Sequence, residues 1–173
     1  MYDLPMNWIS TAIIATALTC ACDPTANGLC IYKGKLYAKT TLAQEFKDSQ
    51  WVVLVRVISA SSAWPDNGDG WTLYKVETVQ TFKGDPPRNI EVFTFRNSGG
   101  FYLESGAKSD LGGEYLLFLN RTNTTSDYPS EARGATEVNY ACGQSKRWNA
   151  ISQVDRDKLK ALSETNDLVR LGS

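Results

Sequence analysis

The spacing of hydrophobic residues changes abruptly near residue 50. Before that point, Leu42 and Phe46 stand four positions apart, which predicts a short helix capped by Thr40 or Thr41. From residue 51 to residue 58, β-branched residues dominate, which predicts a strand whose first half is buried on both faces. The pattern therefore predicts a short helix that leads directly into a buried strand.

Further segments downstream have the composition of strands. The first of them alternates apolar and polar residues, as a half-buried strand does, and we expect it to pair with the preceding strand across the turn residues 64–70. The predicted strands that follow residue 58 are 71–82, 90–95, 115–119 and 137–141. Five strands, each bounded by turn residues, predict a small barrel.

The last twenty or so residues have the pattern of a helix. Ser152 followed by Asp155 resembles a capping box with a shorter acid. A rough apolar stripe runs along the segment 152–171 and predicts that this helix packs on the barrel. The stripe consists of Val154, Leu159, Leu162, Leu168 and Val169.

The amino terminus carries an apolar run at residues 9–18 that includes the small-x-small sequence Ala15-Thr16-Ala17. This pattern predicts a signal peptide over residues 1–19 and one mature domain over residues 20–173. The alternative interpretation of this apolar run is a hydrophobic amino-terminal helix that is buried in the folded protein. Because the run is too short to cross a bilayer, we expect no membrane span.

Composition narrows the function further. The formal net charge is −1, so the chain lacks the basic surface that nucleic-acid binding requires. It contains no histidine, which removes the commonest general base and metal ligand, and we expect neither an enzyme nor a cofactor. Glu104, Asp110 and Glu114 could form a catalytic acid pair, but their glycine- and serine-rich context indicates a solvated loop.

Four cysteines, an even number, predict two disulfides in an oxidising compartment. Three pairings are open, and a Cys20–Cys22 bridge would close a strained ring. We favour Cys22–Cys142 with Cys20–Cys30. A four-cysteine zinc site is the competing interpretation, but the only close pair has the wrong spacing for one, so we expect no metal of the protein's own.

Several short motifs follow one another along the chain in an order typical of a known family. They are Cys20-Ala21-Cys22 followed by Pro24, Phe46-Lys47-Asp48-Ser49, Tyr74-x-Val76, Phe82-Lys83-Gly84, Val92-Phe93, Gly113-Glu114-Tyr115-Leu116-Leu117-Phe118, and Cys142 with Trp148 and Asp157-Lys158-Leu159. From Cys20 to about Leu162 the chain resembles the amino-terminal domain of the tissue inhibitors of metalloproteinases (TIMPs) and their bacterial relatives.

The resemblance implies an all-β fold, a five-stranded Greek-key OB-fold barrel with a short amino-terminal helix and a carboxy-terminal helix packed on it. It also implies a function, the inhibition of zinc metalloendopeptidases. In the family, the free amine and carbonyl of the first cysteine chelate the protease zinc. Here that role would fall to Cys20, with Ala21 entering the specificity pocket and Cys22 tied to Cys142. The loop Ser98, Gly99 and Gly100, where family members carry a cysteine, would make a secondary contact.

These expectations describe a secreted, monomeric protein whose partner is a zinc metalloendopeptidase, located in the periplasm or at the cell surface if the host is bacterial. The alternative is a secreted OB-fold module that binds other ligands or has a structural role without protease inhibition. A binding platform of that kind would use exposed aromatic residues. The candidates are Trp64, Trp71, Phe101 and Tyr102.

Overall fold

The computed structural model describes residues 30–66, 69–97, 99–122 and 128–171, with only the helical backbone given for the last three. Two short 3₁₀ turns, at residues 130–132 and 148–150, accompany the longer elements. In chain order, the strands and helices of these residues are β1 (Ile31–Tyr32), β2 (Lys35–Leu36), α1 (Leu42–Asp48), β3 (Trp51–Ala63), β4 (Trp71–Lys83), β5 (Asn89–Phe95), β6 (Glu104–Ser105), β7 (Lys108–Ser109), β8 (Glu114–Arg121), β9 (Thr136–Val138), β10 (Lys146–Arg147) and α2 (Gln153–Leu171).

Five of these strands close into a barrel. Strands β3, β4 and β5 form an antiparallel meander, β8 pairs with the free side of β3, and β9 pairs with both β8 and β5. The closing contact between β5 and β9 is parallel and is limited to Val92 opposite Thr136. The cyclic order β3-β4-β5-β9-β8 is that of the OB-fold. The structure therefore confirms the predicted OB-like barrel with one short helix before it and one helix after it.

Strand β3 is buried on both faces because two separate cores lie on its two sides. Val53, Val55 and Val57 point into the barrel, whereas Val52 and Leu54 pack under the two helices. Strand β8 alternates in the same way. The predicted burial of the first half of β3 is thus confirmed, and beyond Val57 the strand is largely exposed.

Both helices begin at side-chain caps. Thr41, rather than Thr40, caps α1: its hydroxyl accepts a hydrogen bond from the Gln44 amide, and the Gln44 side chain accepts one from the Thr41 amide, which completes a capping box. At the start of α2, the Ser152 hydroxyl accepts a 3.2 Å hydrogen bond from the amide of Asp155, as expected. The side chains at these two caps thus fix where the helices start.

The predicted apolar stripe of α2 is only partly correct. Leu159 is fully buried and Leu162 packs beside it, but Val154 and Leu168 are 62% and 72% exposed. The middle of the helix therefore covers the barrel, whereas the side chains of Val154 and Leu168 face solvent. No helix among the described residues is long and apolar enough to cross a membrane.

Lys83 is the last residue of β4, and its side chain caps the carboxyl end of α1. Its ammonium donates hydrogen bonds to the main-chain oxygens of Phe46, Lys47 and Ser49, at 2.6, 2.8 and 2.7 Å. A cation at this end of a helix satisfies carbonyls that have no partner within the helix and is favoured by the helix dipole. Burial lowers the pKa of Lys83, and the charge of Asp48 opposes that shift. The lysine thus joins the barrel to α1.

The neighbours of Lys83 explain the rest of the motif Phe82-Lys83-Gly84. Phe82 is buried in the core beneath the helices. Gly84 has a φ of +80°, and a Cβ there would lie 2.6 Å from both the Gln50 main-chain oxygen and the Trp51 ring. The glycine is needed for both its backbone angle and its close contact.

Three small elements were not predicted. The hairpin β1–β2 lies in the segment before α1, the hairpin β6–β7 lies in the glycine-rich excursion after β5, and β10 pairs with β8. Each strand has only two residues, too few to show a periodic pattern of side chains. Their pairing depends on turns and on tertiary contacts.

Replacing Lys83 with Met keeps the apolar stem but removes three donated hydrogen bonds. We expect the free energy of unfolding in urea to fall by about 1–3 kcal/mol, because hydrogen bonds from a charged donor are stronger than neutral ones. Lys75→Met is the matched control, since Lys75 lies on the same strand, is exposed, and stands 3.8 Å from Glu91. Loss of the Lys75 charge should change the free energy of unfolding by about 0.5 kcal/mol or less. Equal losses in the two variants would contradict the capping role.

Candidate functional site

The disulfide joins Cys30 to Cys142, with 5.9 Å between the two Cα atoms. This bridge corrects the predicted pairs Cys22–Cys142 and Cys20–Cys30, because each of them requires a cysteine that is already bonded. Cys20 and Cys22 lie outside the described residues, as does Ala21. A disulfide is compatible with an oxidising, extracellular compartment.

Aromatic packing explains why Cys30 reaches Cys142. The Tyr37 amide donates a 2.7 Å hydrogen bond to the carbonyl of Cys30, which closes the β1–β2 hairpin. On this hairpin, the ring of Tyr32 packs against Tyr140, with 5.1 Å between centroids. Its hydroxyl donates to Asp48, and burial together with that contact raises the pKa of Tyr32 to about 12. The hairpin therefore lies against the segment that carries Cys142.

A buried glutamate fixes the chain just after the disulfide. Glu45 on α1 is 0% exposed, and both its carboxylate oxygens accept hydrogen bonds from the Gln144 amide, at 2.9 and 3.1 Å. The Thr40 hydroxyl also donates to this carboxylate. Burial raises the pKa of Glu45, although these hydrogen bonds and the nearby Lys146 oppose the shift. The carboxylate leaves no room for a side chain at Gly143.

A cleft opens where the barrel closure ends. Beyond Val92 and Thr136, β5 and β9 diverge, because β9 turns to pair with β8. We name the resulting space, of about 290 Å³, the β5–β9 cleft. The residues that line it include Cys30 and Ile31 from the amino-terminal side, Phe95, Gly99, Gly100 and Phe101 from β5 and the loop after it, and Glu137, Asn139 and Tyr140 from the segment after the closure.

The loop at the mouth of this cleft is held by its own hydrogen bonds. The Gly99 amide donates to the Asn97 side chain at 3.0 Å, and the Gly100 amide donates to the Asn97 carbonyl at 3.2 Å. The hydroxyl of Tyr102 donates to the carbonyl of Phe95 at 3.2 Å. A Cβ at Gly100 would collide with that carbonyl and with the Tyr102 ring. Ser98, the first residue of the predicted contact loop, lies outside the described residues.

Glu137 contributes a carboxyl group to the lining of the cleft. Burial raises its pKa, and a hydrogen bond with Tyr128 opposes the shift. Its neighbours along the cleft, Asn139 and Asn97, are uncharged. In residues 30–66, 69–97, 99–122 and 128–171, no cluster of acidic, cysteine or histidine side chains could hold a metal ion. The cleft thus offers one carboxyl group, amide side chains and aromatic surface.

Each of the three carboxylates considered for acid catalysis pairs with a different arginine: Glu104 with Arg96, Asp110 with Arg147, and Glu114 with Arg56. Asp110 and Glu114 line one pocket, which Arg147 also lines. The expectation of a solvated loop is wrong for Glu104 and Asp110, whose side chains are only 20% and 16% exposed. The hydroxyls of Tyr74 and Tyr115 also donate to Glu104 and Asp110. The Asp110–Arg147 pair and the two tyrosine hydroxyls connect the segment between β5 and β8 to the barrel, whereas the Glu114–Arg56 pair joins β8 to β3.

The proposed aromatic platform does not form either. Trp71 packs against Phe93, Phe101 packs on the barrel core, and Tyr102 lies under the guanidinium of Arg96 at 4.6 Å. Trp64 is 70% exposed, one residue past the end of β3. The four residues therefore provide one exposed ring rather than a stacking surface.

Sequence reasoning missed Glu45, Ile31 and Glu137 as residues of this region. One available signal was the position of Glu45, three residues after Leu42 and therefore on the buried face of α1.

No protein-family model matches the chain, and no curated protein matches it.

The raised pKa of Glu45 predicts a specific dependence of stability on pH. At low pH the Glu45 carboxyl is protonated in both the folded and the unfolded protein. As the pH rises, the unfolded chain loses this proton first, because its Glu45 pKa is the lower of the two. The free energy of unfolding therefore declines until the pH passes the Glu45 pKa of the folded protein. Glu45→Gln should remove this part of the decline, and Glu164→Gln, at an exposed position of α2, should retain it. The measurement is urea unfolding from pH 4 to pH 8, and identical profiles for the two variants would contradict the buried-carboxylate assignment.

The disulfide pairing can be tested by peptide mapping. A protease that cleaves before aspartate separates Cys22 from Cys30 at Asp23, so the non-reduced digest should contain a peptide in which Cys30 is linked to Cys142. Replacing Cys30 and Cys142 together by Ser should lower the free energy of unfolding by about 3–5 kcal/mol, because the bridge closes a long loop. The double replacement of Cys20 and Cys22 is the matched control and should leave the fold in place. A linked Cys22–Cys142 peptide would overturn the assignment.

Proposed function

We propose that the protein is a secreted inhibitor of zinc metalloendopeptidases that acts through the amino-terminal segment Cys20, Ala21 and Cys22. The proposal starts from the order of motifs that resembles the TIMPs and from the OB-like fold that contains the motifs from Phe46 onwards. Residues 1–19 would be removed as a signal peptide, which would give Cys20 a free amine. The bridge Cys30–Cys142 then anchors the segment eight residues after Cys22.

One observation carries this proposal: the β5–β9 cleft brings together two parts of the chain that are far apart in sequence. Cys30 and Ile31, which continue the proposed inhibitory segment, line the same cleft as Gly99 and Gly100, the proposed contact loop. An inhibitor needs both parts on one surface so that they can enter the protease cleft together. The juxtaposition supports a combined contact surface at this end of the barrel.

The chemistry requires only main-chain atoms. A neutral α-amine and the carbonyl of the same residue can bind the open coordination position of a catalytic zinc ion and displace its water. The ordinary pKa of an α-amine is near 8, so a useful fraction is neutral at physiological pH. The methyl group of Ala21 buries little surface in a specificity pocket and contributes weakly to affinity. Most of the remaining contact would come from the loop at Gly99 and Gly100.

The experiment compares two forms of the mature protein, one beginning at Cys20 and one with a single alanine added before Cys20. Both are assayed against a panel of zinc metalloendopeptidases. We expect the first form to inhibit and the extended form to lose about 100-fold or more in affinity, because its cysteine nitrogen becomes an amide that cannot chelate. Equal thermal unfolding of the two forms shows that the barrel is unchanged.

The two ways in which this experiment can fail have different meanings. Inhibition of equal strength by both forms would reject zinc chelation and leave inhibition by another surface. Absence of inhibition by either form would favour the alternative, a secreted OB-fold binding or structural module. The β5–β9 cleft, with its aromatic lining and single carboxyl group, is the surface on which that alternative would bind a ligand.

A further inference from the structure

Aromatic rings form one wall of the β5–β9 cleft. Phe93 and Phe95 line it from β5, and Phe101 lines it from the loop that follows. The rings of Phe93, Phe95 and Tyr128 pack against one another, with 5.0 to 5.7 Å between their centroids. Phe93 is buried, whereas the other rings are half-buried. The face of an aromatic ring carries partial negative charge, so an aromatic wall favours a positively charged ligand.

Glu137 adds a carboxyl group beside these rings. It follows Thr136, the residue at which β9 closes the barrel against β5, and it lines the cleft. Its carboxyl group forms a hydrogen bond with Tyr128, which belongs to the packed rings. A carboxylate can accept about four hydrogen bonds, so the bond with Tyr128 leaves most of this capacity free for a ligand.

Among the described residues, no positive side chain pairs with Glu137. The ion pairs of these residues use other carboxylates, and the described lining of the cleft contains no lysine or arginine. By contrast, the partly buried carboxylates of Glu104 and Asp110 each have an arginine partner. Burial raises the pKa of Glu137, and the hydrogen bond with Tyr128 opposes this shift without help from a positive charge. A bound cation would favour the ionised carboxylate.

The hydroxyl of Tyr140 is a second polar group without a partner. Tyr140 lines the cleft and is 3% exposed, and its hydroxyl forms no hydrogen bond with the described residues. A buried hydroxyl without a partner costs free energy. Such an oxygen is an available acceptor for a ligand that donates several hydrogen bonds.

We propose that the β5–β9 cleft binds a small organic cation whose planar guanidinium or amidinium head group pairs with the carboxylate of Glu137 beside the ring of Phe95. A planar head group donates two parallel hydrogen bonds to a carboxylate and stacks on aromatic rings, whereas a compact ammonium acts as a point charge. The volume of about 290 Å³ lies near the lower end of the range for ligand pockets, which suits a small molecule. The proposal goes beyond protease inhibition and does not depend on it, because it makes no use of the segment Cys20, Ala21 and Cys22.

The first test compares two ligands of nearly the same shape by calorimetric titration of the mature protein. N-butylguanidinium is a cation, and N-butylurea is its neutral counterpart. We expect the cation to bind at least about tenfold more tightly, because its hydrogen bonds to Glu137 join two charged groups. Equal affinity for the two ligands, or no binding of the cation at concentrations up to about 10 mM, would overturn the proposal.

The second test removes the charge of the cleft. Glu137→Gln keeps an acceptor for Tyr128 and should weaken binding of N-butylguanidinium at least about tenfold. Glu91→Gln is the matched control, because it removes an exposed carboxylate from β5 and gives the same net charge. It should bind the cation within about twofold of the wild type. Undiminished binding by Glu137→Gln, with thermal unfolding like that of the wild type, would reject Glu137 as the partner of the cation.

The third test addresses the aromatic wall. Phe95→Leu keeps an apolar side chain but removes the ring, and we expect about three- to tenfold weaker binding of N-butylguanidinium. Phe95→Tyr keeps an aromatic face and should bind as the wild type does. Equal binding by the Leu and Tyr variants would contradict a contact between the cation and this ring.

An arginine side chain of a protein partner carries the same head group as the free ligand. A short peptide with one central arginine therefore completes the titrations. We expect it to bind more weakly than N-butylguanidinium, because the small cleft has to exclude the peptide main chain. Tighter binding of the peptide would overturn the assignment to a small molecule and would indicate a basic side chain of a protein partner.

Discussion

The pairing of β3 with β8 is the constraint on which the rest of the structure depends, because both strands are apolar on both faces where they meet. Val53 and Leu117 need one apolar environment, and Val52 and Phe118 need another on the opposite side. A single open sheet could cover only one of these faces. Closing the sheet into a barrel buries the inner set, and the two helices bury the outer set. Barrel closure and helix packing therefore follow from the same pair of strands.

The position of α1 over the outer face is fixed by two charged side chains that bond to the main chain. Lys83 extends from the barrel to the last carbonyls of α1, and Glu45 extends from α1 to the amide of Gln144. Each group pays a desolvation cost, visible as a pKa shift towards the neutral form, and each recovers part of it through hydrogen bonds. Because the Glu45 contact lies two residues after Cys142, the helix, the disulfide and the β1–β2 hairpin form one connected unit. That unit makes one side of the β5–β9 cleft.

The sequence was most informative where its pattern is local. Alternating residues predicted β4, the two-sided apolar run predicted β3, and Thr41 with Gln44 stood at the start of α1, so most of the barrel could be predicted. The Cys30–Cys142 bridge could not, because it depends on the packing of Tyr32 on Tyr140, and nothing local in the sequence relates these residues. The ion pairs of Glu104 and Asp110 were missed for the same reason, since a glycine-rich neighbourhood indicates a loop but does not say which arginine lies opposite. Of the candidate site, the structure describes Gly99 and Gly100, whereas Cys20, Ala21, Cys22 and Ser98 lie outside the described residues.

The observed bridge changes what an inhibitory amino terminus would need in order to bind tightly. With Cys142 bonded to Cys30, the nearest covalent anchor lies ten residues after Cys20, whereas a bridge at Cys22 would anchor the segment at two residues. A longer tether leaves more backbone freedom, and binding must remove that freedom at a cost of about 1 kcal/mol or more for each residue that becomes ordered. Under the proposed function, affinity would therefore depend on this ordering cost as much as on the zinc-binding atoms themselves.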